Sequence, residues 1–369
     1  MTSRRFLTAV FTLLTVTVIS LPATATAQDE EKKESAAPEV KTLIVDLESP
    51  SGVAVDPETG HVFVASRWGV YRYDPVKHTQ DVPKGEKLVL AIASYPTDIY
   101  GKGPKYNIGP LGVAVWKDWL VVGDGSRPDG EELVRVYKID KEMPKDTAKE
   151  DTAAFTLGPI KAGEASAKGE GNFYGVTTIG DSIVVTANGD DTKGWILKSD
   201  IAEGKPGDLS TFIASKENLE VDAPAAATAT PDGKEIVVSQ MGEVNVAGDS
   251  LLTFYNPADG KLIRSLETGL SDIVGLAYSP KTKSLYATEF SWVDTTKGAL
   301  YRLDIEGETV TPVKIVDLEK PAGLAFDKDG TRLYITTFGA DSGTAGEEPK
   351  EGDEKKMSAG KLVVIEAGL

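Results

Sequence analysis

Six copies of one short pattern fill most of this 369-residue sequence and constrain its fold more than any other feature. Each copy has a small residue within a short apolar segment, then a turn, a second apolar segment with a polar end, and a third, alternating segment. The small residues are Gly52, Gly112, Gly175, Ala226, Gly275 and Gly323. These residues lie 48 to 63 positions apart, and polar insertions lengthen the early spacings. A period of about 40–50 residues with four strands each is typical of propeller blades, which are sheets around a central channel.

A fourth apolar segment follows most copies, but the chain ends before the sixth copy can have one. The segment Thr42–Leu47, before the first copy, matches Val313–Leu318, the fourth segment of copy five. We therefore expect the N-terminal strand to complete the last blade, because closure removes the free sheet edges that favour aggregation. The sequence predicts an all-β fold, a six-bladed β-propeller whose last blade is closed by the N-terminal strand.

The start of the chain differs in composition from the repeats. Residues 1–27 have a basic start, an apolar stretch and small residues before a cleavage site after Ala27, as in a signal peptide. This predicts a secreted or periplasmic protein with no membrane span after cleavage, since no later segment is long and apolar enough. The other predicted segments are a disordered charged tether (28–40), the propeller (41–369) and an acidic disordered loop within its last blade (341–360).

Composition excludes several classes of protein. The chain has no Cys, which excludes disulfides and thiolate metal sites. Its two histidines, His61 and His78, are expected in solvated surface turns, which leaves a zinc lyase or a Ser-His-Asp hydrolase without a base. The net charge of −17 excludes nucleic acid as a partner, because that binding needs a basic surface.

The run PSGVAVDPETGHVFVAS (50–66), followed by GVYRYD (69–74), resembles an NHL repeat. The chain as a whole resembles the six-bladed superfamily of NHL-repeat and gluconolactonase (senescence-marker) proteins. In the gluconolactonase-like enzymes a Glu before the first inner strand binds a divalent metal, and Glu48-Ser49-Pro50 is similar to that motif. The resemblance implies lactone or ester hydrolysis with Glu48 as a ligand. Where the family has an Asn, this chain has Leu111, Tyr174, Ala225, Val274 and Ala322.

A polar residue ends the second strand of every predicted blade, at the channel mouth where propellers usually bind ligands. These residues are Ser66, Asp124, Asn188, Gln240, Glu289 and Thr337. Blades two and five lie opposite each other in a six-fold ring, so Asp124 and Glu289 are expected to face across the channel, as candidates for acid–base catalysis. A ring of oxygen atoms also suits Ca²⁺ or another divalent cation, although the sequence establishes no cofactor. The candidate metal ligands are Glu48, Asp124, Asn188 and Glu289.

Aromatic residues are expected on the same rim, where they stack on sugar rings or hold a protein loop. The predicted ligand-binding residues are Ser66, Arg67, Trp68, Asn188, Gln240, Trp292 and Thr337. We expect a propeller that binds a small polar ligand or an extracytoplasmic protein at the channel mouth, without catalysis. The alternative is a divalent-metal hydrolase of the gluconolactonase type, and a third hypothesis is a structural module of the cell envelope. The sequence leaves open whether the protein is an enzyme.

The signal-peptide prediction is tested by expressing the full-length chain in a bacterial host that exports proteins. We expect the exported product to begin at Gln28, because small residues precede that position as signal peptidase requires. N-terminal sequencing and intact mass measure this start. A membrane-bound product that retains Met1 would contradict the prediction.

Overall fold

The structure of the protein is a computed structural model that describes residues 37–78, 84–100, 106–190, 192–221, 223–339 and 360–366. The predicted signal peptide lies outside these residues, as do most of the predicted tether and nearly all of the predicted acidic loop. The described chain forms six main β-sheets, arranged as the blades of a propeller. The predicted fold class is therefore confirmed.

The first third of the chain forms the closing strand, two blades and a hairpin between them. The closing strand is β1 (Val40–Leu47). Blade 1 contains β2 (Val53–Val55), β3 (Val62–Ser66), β4 (Gly69–Tyr73), helical turns α1 (Pro75–His78) and α2 (Lys84–Lys87), and β5 (Leu88–Ala93). The hairpin is β6 (Asp98–Tyr100) with β7 (Tyr106–Ile108). Blade 2 contains β8 (Val113–Trp116), β9 (Trp119–Gly123), β10 (Val134–Lys138), a 3-10 turn (Glu150–Thr152) and β12 (Phe155–Leu157). Between β10 and the 3-10 turn, the short β11 (Ala148–Lys149) pairs with β5 in the sheet of blade 1.

The remaining four blades follow in chain order. Blade 3 contains β13 (Val176–Ile179), β14 (Ser182–Thr186), β15 (Trp195–Ala202), the short β16 (Lys205–Pro206), β17 (Ser210–Ala214) and a 3-10 turn (Ser215–Glu217). Blade 4 contains β18 (Pro224–Ala229), β19 (Ile236–Gln240), β20 (Leu251–Tyr255) and β21 (Leu262–Glu267). Blade 5 contains β22 (Ile273–Tyr278), β23 (Leu285–Glu289), a 3-10 turn (Thr295–Lys297), β24 (Ala299–Glu306) and β25 (Thr309–Asp317). Blade 6 contains β26 (Pro321–Phe326), β27 (Arg332–Thr337) and β28 (Gly360–Glu366). Among the described residues, no helix has the length and apolar character needed to cross a membrane.

The N-terminal strand closes the ring, as predicted. Strand β1 pairs antiparallel with β28, from Val40 opposite Ile365 to Leu47 opposite Gly360. Blade 6 therefore takes three strands from the end of the chain and its outermost strand from the beginning. The two ends of the folded chain are thereby joined in one sheet, and the last blade has no missing strand.

The second strand of each blade is buried on both of its faces. All five residues of β3, β19 and β23 are buried, whether polar or apolar. This happens because a neighbouring blade packs against each face of the sheet, so the strand faces solvent on neither side. The mainly apolar sequences of these strands, VFVAS, IVVSQ and LYATE, match that environment.

Small residues at the repeat anchors let the innermost strands of neighbouring blades approach each other. A Cβ atom at Gly175 would lie 2.1 Å from the carbonyl oxygen of Ala225 in blade 4. At Gly275 it would lie 2.5 Å from the carbonyl oxygen of Ala322, and at Gly323 2.6 Å from that of Ser51. No real Cβ fits at such distances, so the small residues recur because the ring leaves no room for a side chain.

A buried hydroxyl group on the second strand connects each of blades 3 to 6 to the next blade. In blade 3, Thr186 Oγ1 accepts a hydrogen bond from Gly175 N (2.8 Å) and donates one to the Ala225 oxygen (2.7 Å). The hydroxyls that donate to the next blade from blades 4, 5 and 6 are those of Ser239, Thr288 and Thr336. These bonds satisfy backbone groups that the crowded ring shields from water.

His61 is buried, which corrects the expectation that it lies in a solvated turn. Its Nδ1 accepts a hydrogen bond from Arg72 Nε (3.0 Å), and its Nε2 lies 3.5 Å from Asp74. Arg72 also donates to the carbonyl oxygens of Asp140 and Glu142. Burial and the Arg72 charge lower the pKa of His61. Its ring holds Arg72, whose guanidinium connects blade 1 to the loop that follows β10.

The hydroxyl bridge of blade 3 is tested by Thr186→Val, which keeps the shape of the side chain and removes its hydroxyl. The change leaves Gly175 N and the Ala225 oxygen without a partner, so we expect a loss of about 1–3 kcal/mol in the free energy of unfolding. Denaturant unfolding measures it. Thr178→Val, on the innermost strand of the same blade, is the control and should change stability by less than about 0.5 kcal/mol. Equal effects of the two changes would contradict the bridge.

Candidate functional site

A cavity of about 590 Å³ opens at one mouth of the central channel. Its volume lies within the range of about 300–1,000 Å³ that is usual for small-molecule sites. Aromatic residues dominate its wall: Tyr100, Tyr106, Tyr174, Phe290, Trp292 and Phe338. The polar lining consists chiefly of Lys168, Asn172, Asn188, Lys216, Glu243 and Asn245. The cavity is thus an apolar cup with a polar side.

Tyr106 of the inserted hairpin lies at the centre of the aromatic wall and is only 1% exposed. Its ring centroid lies 5.1 Å from that of Phe338, 5.2 Å from that of Trp292 and 6.1 Å from that of Phe290. All three contacts are edge-to-face, the arrangement that aromatic quadrupoles favour. Phe290 and Trp292 lie closer still, at 4.9 Å. The hairpin therefore reaches into the mouth and packs against blades 5 and 6.

Two positions in the repeat line the cavity. The first is the residue before the small anchor, which contributes Leu111, Tyr174, Ala225 and Val274. The second is the residue directly after the second strand, which contributes Met241, Phe290 and Phe338. Gln240, Glu289 and Thr337, which were predicted to line the mouth, each end a strand one residue earlier. Because successive residues of a strand point to opposite sides, a shift by one residue exchanges the blade interior for the channel.

The polar strand ends make contacts within the ring instead. Gln240 is fully buried and donates from Nε2 to Thr253 Oγ1 (3.1 Å) on the neighbouring strand. Ser66 donates to the carbonyl oxygen of Glu48 (2.5 Å). Thr337, at 9% exposed, is outside the cavity lining as well. Of the predicted ligand-binding residues, Asn188 and Trp292 do line the cavity.

Asn188 presents an unsatisfied acceptor in the cavity wall. Its Nδ2 donates to the carbonyl oxygen of Pro224 (2.8 Å), which fixes the side chain across the boundary between blades 3 and 4. Its Oδ1 is buried and has no hydrogen-bond partner. A buried acceptor without a partner is destabilising by about 1–3 kcal/mol, so a ligand that donates to it would gain binding energy.

The predicted metal ligand Glu48 is occupied by donors from its own chain. Its Oε1 accepts from Arg67 Nη1 and from Asn107 Nδ2 (3.2 Å). Its Oε2 accepts from Trp68 Nε1 (2.9 Å). The Arg67 guanidinium also lies over the Trp68 ring, 4.4 Å from its centroid. Glu48, Arg67 and Trp68 therefore form a cluster beside the hairpin and outside the cavity lining.

The other two predicted carboxylates are held apart in their own blades. Asp124 is 1% exposed and forms an ion pair with Arg127, which also contacts Glu150 (2.5 Å). Glu289 accepts from Ser271 N (2.8 Å). Neither lines the cavity, so the predicted pair does not face across it.

The predicted metal ligands do not form a metal site. In the described part of the chain, no three side chains of the His, Cys, Asp or Glu type are grouped so that they could hold a metal ion. Cationic partners and backbone donors already occupy the carboxylates of Glu48, Asp124 and Glu289. This donor set does not fit a divalent cation, and Ca²⁺ or another divalent ion stays a prediction.

Two buried carboxyl groups support the backbone around the cavity. Glu132 accepts a hydrogen bond from the backbone N of Asn172, and burial raises the pKa of Glu132 to about 9. Asp272 accepts from the backbone N of Trp292 (2.6 Å), and burial raises the pKa of Asp272 to about 6. The sequence predicted neither role. Asn172 and Asp272 occupy the same position in their repeats, three residues before the anchor, and both have left-handed φ angles, of 52° and 53°.

Comparisons with known proteins show the fold. No protein-family model and no curated protein sequence matches the chain. A solved glucose dehydrogenase superposes with a TM-score of 0.56 at 17% identity, covering 89% of this chain and 100% of that one. A gluconolactonase from Xanthomonas campestris gives 0.54 at 15% identity, covering 89% of each chain. The soluble aldose sugar dehydrogenase of Escherichia coli gives 0.53 at 15% identity, covering 89% and 99%. The predicted resemblance to gluconolactonase-like propellers is confirmed at the level of the fold.

The raised pKa of Glu132 predicts a pH-dependent stability. The folded protein keeps this proton up to about pH 9, whereas an unfolded Glu loses it near pH 4.3, so the fold loses stability as pH rises between these values. Glu132→Gln removes that loss. We expect the variant to become more stable relative to the wild type by up to about 4 kcal/mol between pH 5 and pH 8, at about 1.4 kcal/mol per pH unit, as measured by denaturant unfolding at both pH values.

The control for this experiment is Glu131→Gln, because Glu131 is the exposed neighbour of Glu132. Its difference from the wild type should not change with pH in the same way. A Glu132→Gln difference that is constant or falls as pH rises would mean that Glu132 is ionised in the folded protein.

Proposed function

We propose that the mouth cavity binds a small cyclic polar molecule of the sugar or sugar-lactone type. The observation that carries this proposal is the buried, unpartnered Asn188 Oδ1 in a cavity that also has a wall of six aromatic residues. A sugar ring offers hydroxyl donors at its edge and apolar C–H faces. This combination matches one unpartnered acceptor beside aromatic surfaces.

The aromatic residues supply the contact area for such a ring. Trp292, Phe290 and Tyr106 form a connected wall whose rings already pack against each other. Large aromatic side chains contribute much of the binding energy at small-molecule sites and lose little conformational freedom when they are held in this way. The superposed proteins named above are a gluconolactonase and sugar dehydrogenases, and their shared fold supports a ligand of this chemical class.

Hydrolysis of a lactone or ester is the second candidate function. The fold shared with the Xanthomonas gluconolactonase supports it. Because the carboxylates of this chain do not fit a divalent cation, we derive no catalytic step that passes through a metal. Binding is the function for which the cavity supplies a specific group.

Export would place this site outside the cytoplasm. With the predicted signal peptide removed, the ligand would be a secreted or periplasmic solute. An extracytoplasmic protein that contacts exposed aromatic residues of the rim such as Trp68 (47% exposed) is the competing partner. The net charge of −17 opposes nucleic acid as a partner.

Two variants test the binding proposal. Trp292→Leu removes aromatic surface on which a sugar ring could stack, and Asn188→Ala removes the unpartnered acceptor Oδ1. Isothermal titration with neutral monosaccharides and aldonolactones should show binding by the wild type, with each variant at least about ten-fold weaker. The matched controls are Trp119→Leu and Asn218→Ala, which lie outside the cavity lining and should keep the wild-type affinity.

The same panel separates the two candidate functions. Release of acid from lactones, followed with a pH indicator, would support hydrolysis. Binding without turnover would support the binding proposal alone. Failure of the whole panel to bind, or equal losses in the controls and the cavity variants, would overturn the assignment of the cavity as a sugar site.

A further inference from the structure

Strand β7 of the hairpin uses its two faces for different tasks. Tyr106 and Ile108 are buried and belong to the apolar cluster at the channel mouth. Asn107, between them, points to the other side and donates to Glu48 Oε1 (3.2 Å). This alternation is the ordinary pleat of a strand, and it places Asn107 where its hydrogen bond to Glu48 can hold β7 against blade 1.

The hairpin also lies directly against the backbone of blade 1. A Cβ atom at Gly109, which follows β7, would lie 2.1 Å from the carbonyl oxygen of Arg67. Arg67 is the same residue that forms an ion pair with Glu48. The carboxylate of Glu48 thus connects three elements: Arg67 and Trp68 after β3, Asn107 on β7, and its own segment before β2.

A second charged residue holds Tyr106 from the side of blade 6. Lys320, which precedes β26, is 8% exposed and has a left-handed φ of 49°. Its Nζ lies 5.4 Å from the centroid of the Tyr106 ring, within the range of a cation–π contact. Its backbone carbonyl oxygen accepts from the N of Phe338 (2.9 Å), another residue of the aromatic wall.

We infer that Glu48 is a positioning residue that seats β7, and with it Tyr106, at the channel mouth. This role takes the place of the metal-ligating role that the Glu-Ser-Pro resemblance implies. The lone pairs that a metal would need are engaged by Arg67, Trp68 and Asn107, and the Arg67 guanidinium repels a cation at the same point. That Tyr106 then shapes a ligand site rests on the proposed function, but the seating of β7 does not.

A double-mutant cycle tests the seating without any ligand. The variants are Glu48→Ala, Asn107→Ala and both together, and the readout is hydrogen exchange of the Tyr106, Asn107 and Ile108 amides. If the carboxylate holds the strand through Asn107, each single change should speed exchange about three- to thirty-fold, and the double change should add little to either. Asp181→Ala, which breaks an exposed ion pair between blade 3 and Lys117 of blade 2, is the control and should leave these amides unchanged.

The metal hypothesis makes the opposite predictions. Titration of the wild type with Ca²⁺, Mg²⁺ or Zn²⁺ alone should show no stoichiometric binding that Glu48→Ala abolishes and Asn107→Ala retains. EDTA should leave the exchange of the β7 amides unchanged. Metal binding of that kind, EDTA-sensitive exchange, or additive effects in the cycle would each overturn the inference.

The cycle and the sugar titrations fail independently. If Glu48 and Asn107 are coupled but the protein binds no sugar in the titrations, the seating of β7 is retained and the proposed function is rejected. If the protein binds sugar but Glu48 and Asn107 are not coupled, the proposed function is retained and the seating of β7 by Glu48 is rejected. If both hold, Glu48→Ala should weaken sugar binding while Asp181→Ala should not.

Discussion

The close contact between the innermost strands of neighbouring blades is the constraint on which the rest of the structure depends. Six sheets meet around one axis, and their first strands approach until a Cβ at Gly175 or Gly275 would overlap the next blade. Backbone groups trapped there need partners, and hydroxyls such as those of Thr186 and Thr288 reach them. Each contact involves two blades, and the ring closes where Gly323 and Thr336 of blade 6 meet Ser51. Strand β1 then completes the outer edge of that same blade. The N-terminal strand is therefore part of the architecture.

The same crowding decides which residues reach the channel mouth. Inside the ring there is little space for side chains. The residue before the anchor in blades 2 to 5 and the residue after the second strand in blades 4 to 6 extend into the opening. In this chain those positions are mostly apolar or aromatic, with Tyr174, Met241 and Phe290 as examples. The mouth becomes an apolar cup rather than a ring of oxygen atoms. A polar ligand then depends on the few exceptions, above all Asn188.

The fold could be predicted from the sequence because its signal is repeated. Six anchors and the match between Thr42–Leu47 and Val313–Leu318 report the same geometry independently. The site was harder to predict, because the residue that faces the cavity differs by one position from the polar residue that ends the strand. Hydroxyls before those strand ends carried a signal for the bridges between blades, since Thr or Ser recurs there in four copies. Contacts such as Glu48 with Asn107 join residues 59 positions apart, and no local pattern reports them.

Within the described parts of the chain, the hairpin β6–β7 has no counterpart in the other blades, and it makes the channel mouth asymmetric. The ring supplies rigidity and a symmetric opening, but symmetry alone gives six similar positions and no unique site. An insertion between two blades breaks the symmetry, because it fills one side of the mouth with Tyr106 and leaves the other open. Two charged residues outside the cup hold the hairpin there. Glu48 accepts a hydrogen bond from Asn107 on one face of β7, and Lys320 lies over the aromatic ring of Tyr106. On this inference the Glu48 carboxylate, which the Glu-Ser-Pro resemblance implies to be a metal ligand, holds the inserted hairpin in place instead.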